Sequence, residues 1–121
     1  MPLSALLRWN DTALNILKGQ SYLFTAEGKW YDAGIQSDAD GYPSNSLKHR
    51  LTARFRRSPK QDWFLLMGAL SMDDCKAFPI GAGPINYTVT EDGKLYCFAN
   101  DLWPFYFNNS GLVKLTVKRL S

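Results

Sequence analysis

Short strand-like segments, separated by turn residues, follow one another along the whole chain. The clearest alternation of apolar and polar residues lies in residues 50–56, where Leu51, Ala53 and Phe55 share one face and the arginines share the other. Residues 113–117 repeat the pattern near the C-terminus. Because a period of two places successive side chains on opposite faces of a β-strand, both segments are predicted to be half-buried strands.

Two other segments, residues 63–70 and 95–99, are nearly continuous apolar runs bounded by turn residues. Such runs are typical of central strands that are covered on both sides. Shorter strand candidates are residues 3–8, 13–17, 22–26, 34–36 and 87–90. Many short strands with regularly spaced turns predict an all-β fold, a jelly roll or β-sandwich of about eight antiparallel strands.

The totals predict one ordered domain that spans residues 1–121, with 45% hydrophobic and 21% charged residues. No apolar run is long enough to predict a membrane-spanning helix. The first residues lack the features of a signal peptide, so we expect cytoplasmic synthesis, with later release or attachment to a cell surface left open. Without a secretory signal, Cys75 and Cys97 are expected to stay reduced.

Basic residues are concentrated in residues 48–60, which hold six of the fourteen lysines and arginines of the chain. The favoured interpretation is an exposed strand that its charge protects from aggregation. A surface for an anionic partner is the alternative, although nucleic acid is not the partner we expect.

The composition offers little for catalysis. His49 is the only histidine, so neither a zinc site nor a Ser/His/Asp triad can be assembled convincingly. No pair of acids has the spacing expected to flank a glycosidic bond. We therefore expect a protein that binds and is not an enzyme.

Oxygen donors are concentrated in residues 100–111, between two predicted strands. Asp101 supplies a carboxylate, and Asn108 and Asn109 supply amide oxygens. These are ligands that calcium accepts, although the same residue types are also common in ordinary turns. The segment between them is aromatic and includes Trp103, which is typical of a binding rim and favours the calcium interpretation.

Several segments in this order resemble the bacterial calcium-dependent galactophilic lectin family, the PA-IL-like jelly rolls. They are Trp9-Asn10-Asp11-Thr12, Leu17-Lys18-Gly19-Gln20, residues 24–30, Asp40-Gly41-Tyr42-Pro43, Leu95 to Asp101 and Tyr106 to Gly111. The resemblance implies a galactose-binding-like fold, a bound Ca2+ ion, a carbohydrate ligand of the galactose type, and a homo-oligomer, either a dimer or a tetramer.

The resemblance also implies particular ligands. The metal would be held by the side chains of Asp101, Asn108 and Asn109, by the backbone carbonyl of Phe105, and by a second carbonyl at Asp32 or Ala33. Contacts to the sugar are expected from Asp40, Tyr42, His49, Trp103, Asp101 and Asn108. The alternative function is a module of the same fold that binds no sugar and uses residues 48–60 for an anionic partner.

Overall fold

A computed structural model describes residues 1–44 and 46–120 of the chain. Within these ranges the protein has ten β-strands, one α-helix and three short 3-10 helices. The strands are β1 (Pro2–Ser4), β2 (Asn10–Ile16), β3 (Ser21–Asp32), β4 (Ile35–Ser37), β5 (Asp40–Tyr42), β6 (Trp63–Leu70), β7 (Ala77–Pro79), β8 (Ile85–Thr88), β9 (Gly93–Ala99) and β10 (Asn109–Arg119). The helix α1 spans Leu47–Thr52, and the 3-10 helices span Ala53–Phe55, Asp74–Lys76 and Trp103–Asn108.

The strands form two five-stranded antiparallel sheets. One has the order β1-β10-β3-β4, with β8 also paired to β3, and the other has the order β2-β9-β6-β5, with β7 also paired to β6. The prediction of an all-β sandwich is confirmed. It missed β5 and β7, which have only three residues each, too few to show a period.

The hydrophobic core lies between the sheets. In β3 and β10 the apolar residues alternate inward as predicted, so Phe24 and Val113 are buried while Lys114 is exposed. Strand β6 is buried on both faces, since Phe64 belongs to the main core and Met67 to a second cluster. Burial on both faces explains why residues 63–70 read as a continuous apolar run, and the prediction of a central strand there is confirmed.

The strand predicted for residues 50–56 is wrong. This segment forms α1 and the following 3-10 helix, and Leu51 and Phe55 are 65% and 62% exposed instead of buried. Ser46 caps the helix, because its Oγ accepts a hydrogen bond from the His49 backbone N–H at 3.1 Å. The helix bonds its backbone groups locally, whereas a strand would need a partner.

The turn predicted at residues 40–43 is part of β5, which pairs with the start of β6. Gly41 has a φ of +74°, and a Cβ atom there would lie 2.2 Å from the Trp63 carbonyl oxygen. Only glycine allows this close approach. The longest helix in the described ranges has six residues, too short to cross a membrane.

Candidate metal and ligand site

Three chain segments meet at one edge of the sandwich. Asp32 at the end of β3 pairs with Asn109 at the start of β10. Next to this pair, the Ala33 backbone N–H donates a hydrogen bond to the Asn108 carbonyl at 3.1 Å. Asp101 follows β9 and lies close enough to Asn109 for a side-chain hydrogen bond. The loop predicted between β9 and β10 therefore folds back against the end of β3.

A cavity of about 300 Å³ opens at this edge. Five of the six residues expected to ligate calcium line it: Asp32, Ala33, Asp101, Phe105 and Asn108. The rest of its wall comes from Ile35, Ser46, His49, Thr52, Trp63 and Leu102. Of these, only His49 is among the residues that sequence reasoning assigned to the site.

The sixth expected ligand, Asn109, is buried beside Asp101. Its Nδ2 donates hydrogen bonds to Asp101 Oδ2 at 3.0 Å and to the Ala5 carbonyl at 3.1 Å. These two acceptors fix the orientation of the amide, because a flipped Asn109 would turn its oxygen toward both of them. Its Oδ1 is buried and has no hydrogen-bond partner. An unsatisfied buried carbonyl oxygen is costly, and a bound cation would satisfy it.

Asp101 is the most perturbed carboxylate of the site. Burial raises its pKa to about 7, and the negative charge of Asp32 adds to the shift, while hydrogen bonds from Asn109 and Leu102 oppose it. Among the described residues no lysine, arginine or histidine forms an ion pair with Asp101. The ionised carboxylate therefore has hydrogen bonds but no cation to compensate its charge.

This perturbation predicts a pH-dependent stability for the metal-free protein. Because the pKa of Asp101 rises from 3.8 to about 7 on folding, the folded state holds a proton that the unfolded state has released. Stability should fall as pH rises from about 4 to about 7 and then level off. Between about pH 5 and about pH 8 the titration of Asp101 should lower the free energy of unfolding by about 2–3 kcal/mol.

Urea denaturation in the presence of a chelator measures this effect. Other groups also titrate, so the comparison is between the wild type and Asp101→Asn, whose difference in unfolding free energy should change with pH by that amount. Parallel stability profiles for the two proteins would contradict the prediction.

Asp32 is held by its neighbours. Tyr42 Oη donates a short hydrogen bond to Asp32 Oδ2, and His49 Nε2 lies 3.9 Å from the same oxygen. Burial, together with the Asp32 hydrogen bond, raises the pKa of Tyr42 far above its ordinary value. Tyr42 thus remains a donor that orients the carboxylate and does not itself line the cavity.

The donor set fits a hard cation. Within the described residues no three His, Cys, Asp or Glu side chains are grouped as a metal site. The oxygens available near the cavity are carboxylates, amides and backbone carbonyls, which suit calcium and not zinc. The residues that would hold calcium are Asp101, Asn108 and Asn109, with carbonyls from Phe105 and from Asp32 or Ala33.

Three residues expected to contact sugar do not line the cavity: Tyr42, which binds Asp32, and also Asp40 and Trp103. The Asp40 carboxylate accepts a hydrogen bond from the Ala82 backbone N–H at 2.7 Å, which holds the loop before β8. Trp103 donates from Nε1 to Asp74 Oδ2 at 3.0 Å. Both side chains are engaged in structural contacts outside the cavity wall.

Trp103 belongs to a cluster around a buried arginine, which we call the Arg57 cluster: Trp9, Arg57, Asp74, Phe98, Trp103 and Tyr106. The Arg57 guanidinium carbon lies 3.4 Å from the Phe98 ring centroid, 3.9 Å from that of Trp103 and 4.3 Å from that of Trp9. Its Nη2 forms an ion pair with Asp74 at 2.9 Å. The prediction that Arg57 belongs to an exposed basic surface is wrong, because its side chain is buried.

The Arg57 cluster anchors the loop that carries the candidate ligands. Arg57 Nη1 donates to Tyr106 Oη at 2.9 Å, and the Arg57 backbone N–H donates to the Asp101 carbonyl at 3.1 Å. Tyr106 Oη in turn donates to the Ala99 carbonyl. The 3-10 helix Trp103–Asn108 is therefore fixed at both ends of its aromatic stretch.

Asn100 fixes the other side of the loop. Its buried side chain accepts a hydrogen bond from the Ser58 backbone N–H and donates to the carbonyls of Ser58, Gln61 and Asp62. Because Asn100 immediately precedes Asp101, this network fixes the position of the backbone that carries the buried carboxylate. The Asn-Asp pair thus combines a structural residue with a candidate ligand.

The sandwich with a cavity at its edge has the fold of a lectin β-sandwich. Among solved structures, the N-terminal domain of EclA, described as a PllA-like lectin, is similar over 99% of this chain and 94% of that chain, with a TM-score of 0.76 and 16% sequence identity. No protein-family model and no curated protein matches the sequence. The likeness lies in the fold, at low sequence identity.

Proposed function

We propose that this protein is a non-catalytic, calcium-dependent lectin whose sugar site is the cavity at Asp101. The observation that carries the proposal is the convergence of Asp32, Ala33, Asp101, Phe105 and Asn108 on one cavity. These residues come from two stretches that are distant in the sequence, 32–33 and 101–108, and ligands are expected from both on sequence grounds, with Asp32 and Ala33 as alternatives for one carbonyl. When bound, calcium would supply a positive centre with open coordination positions for two neighbouring sugar hydroxyls.

The buried polar atoms beside the cavity support the metal part of the proposal. Asp101 and Asp32 bring two negative charges close together, and the Asp32 charge raises the pKa of Asp101. Asn109 keeps a buried oxygen without a hydrogen-bond partner next to them. A divalent cation relieves both costs at once, by neutralising the carboxylates and by coordinating the amide oxygen.

The cavity wall supports the carbohydrate part. Ser46, His49 and Thr52 place polar side chains along one wall, and Phe105, which is 39% exposed, supplies an apolar surface. Sugars present hydroxyl edges and apolar C–H faces, so a wall of this mixed character suits them. Galactose-type sugars remain the first candidates, and the EclA domain of similar fold is described as a lectin.

The test combines two measurements on the full chain. Isothermal titration of the chelator-treated protein with calcium should reveal one site, and a glycan array should give signals that disappear when a chelator is added. Calcium binding without any glycan signal would support the metal site and refute the lectin. Glycan signals that survive chelation would refute calcium dependence and indicate a lectin that binds sugar by another mechanism.

A further inference from the structure

The segment that was expected to be a strand presents an exposed surface of mixed character. We call it the apolar-basic ridge: Leu47, Arg50, Leu51, Arg54 and Phe55. Its three apolar side chains are 70%, 65% and 62% exposed in chain order. Leu47 and Leu51 are four residues apart on α1 and therefore share a face of the helix. Isolated exposed leucines are common, but three large apolar residues within nine positions form a patch.

The charge of the ridge is not compensated. No aspartate or glutamate occurs between Asp40 and Asp62, while this interval contains six lysines and arginines. Within the part of the chain that the structure describes, neither Arg50 nor Arg54 forms an ion pair. The Arg54 guanidinium carbon lies 4.8 Å from the Phe55 ring centroid, so charge and apolar surface are in direct contact.

The other face of the same helix is already used. Ser46, His49 and Thr52 line the cavity described above, which leaves the ridge as the part of the segment directed to solvent. Nothing in the core requires the ridge leucines, because they contribute no buried side chain to either hydrophobic cluster. The packing of the core therefore does not explain why these positions are leucines.

We propose that the apolar-basic ridge docks this protein on the surface of an anionic lipid bilayer. A soluble polyanion such as nucleic acid would satisfy the arginines but leave the leucines and Phe55 in water. A membrane interface satisfies both, because apolar side chains enter the headgroup boundary while guanidinium groups meet anionic lipids. Docking of this kind is peripheral, and it goes beyond sugar binding since it requires neither calcium nor a glycan.

The test is co-sedimentation of the full chain with phosphatidylcholine vesicles that contain or lack phosphatidylglycerol, in the presence of a chelator. Binding should require phosphatidylglycerol and weaken with added salt. Arg50→Gln with Arg54→Gln should lower the partition coefficient at least about tenfold, since each basic residue near an anionic surface contributes a factor of about five. Leu51→Ser with Phe55→Ser should cause a loss of similar size.

Matched controls separate the ridge from general surface properties. Leu112→Ser removes another exposed leucine, 58% exposed and on β10, and Lys118→Gln removes a cation from the same strand. Both should bind vesicles like the wild type, and circular dichroism should give the same spectrum for all variants.

Three results would overturn the proposal. One is the absence of binding to either vesicle. Another is vesicle binding that depends on the arginines but not on Leu51 and Phe55, which would show that the ridge recognises anionic charge alone and does not insert apolar side chains into a bilayer. The third is self-association in analytical ultracentrifugation that Leu51→Ser with Phe55→Ser abolishes while vesicles are ignored, which would assign the ridge to a second copy of the chain.

Discussion

Replacement of Arg57 by methionine should lower the free energy of unfolding by about 3–5 kcal/mol, the cost typical of breaking a buried ion pair by removing one partner. The Arg57 side chain is fully buried, and Asp74, its ionic partner, is 25% exposed. Methionine keeps much of the volume among the aromatic rings but removes the charge and every donor. Asp74 would lose its cation, and the Arg8 carbonyl would lose a hydrogen bond of 2.6 Å.

Urea denaturation of the metal-free protein measures this effect. Arg54→Met is the matched control, because Arg54 is exposed and its loss should change stability by no more than about 0.5 kcal/mol. If both variants unfold at the same urea concentration, the Arg57 cluster is not a stabilising centre. Arg57→Lys should give an intermediate loss, since lysine restores the charge but not the planar group that lies between the rings.

Arg57→Met should also weaken calcium binding in the folded protein. Arg57 contacts Tyr106 and the Asp101 backbone but does not line the cavity. Loosening the loop would let Asp101 and Asn108 lose their relative placement, so calcium affinity should fall further than for Arg54→Met.

The strands of the core were predictable from sequence because burial imposes a period on the residues. In β3, β6 and β10 the apolar residues lie where the sheets bury them, and the pattern identifies both the strands and their inward faces. The three-residue strands β5 and β7 could not be identified this way. Their position depends on pairing with β6, which sequence alone does not display.

The segment at residues 50–56 shows how a period can mislead. Alternating arginines with Leu51, Ala53 and Phe55 match a strand, yet Leu47, Leu51 and Phe55 are also four residues apart and match a helix. Ser46 before this segment is a typical N-cap residue and was the available signal for the helix. An apolar face of a helix is ordinarily buried, whereas Leu47, Leu51 and Phe55 are exposed in the structure.

Asp101, Asn108 and Asn109 could be proposed from the residues themselves because oxygen donors are dense in residues 100–111. Phe105 and the carbonyl at Asp32 or Ala33 are implied only by the family resemblance. What could not be derived is the contribution of Ser46 and Thr52, which reach the cavity only because Leu47–Thr52 forms a helix. The role of Arg57 was equally hidden. The burial of Arg57 depends on contacts with Trp9, Asp74 and Phe98, which are distant in sequence and form no common pattern.

Asp101→Asn should abolish calcium binding, with a loss of affinity of at least about 100-fold. Loss of an outer-shell partner typically costs 10–100-fold in metal affinity, so loss of a ligating carboxylate should cost more. The substitution keeps the size of the side chain and removes its negative charge, which is the main attraction for a hard divalent cation. Glycan signals that need calcium should disappear together with the metal.

Unfolding cannot explain that loss, because the variant should be at least as stable as the wild type at about pH 8. Burial raises the pKa of Asp101 to about 7, so the wild type must bury an ionised carboxylate at that pH, and the neutral amide avoids this cost. Asp62→Asn is the matched control, since Asp62 is exposed and does not line the cavity. Calorimetric titration that gives Asp101→Asn the affinity of Asp62→Asn would exclude Asp101 as a ligand, and with it the calcium-dependent recognition of sugar at this edge of the sandwich.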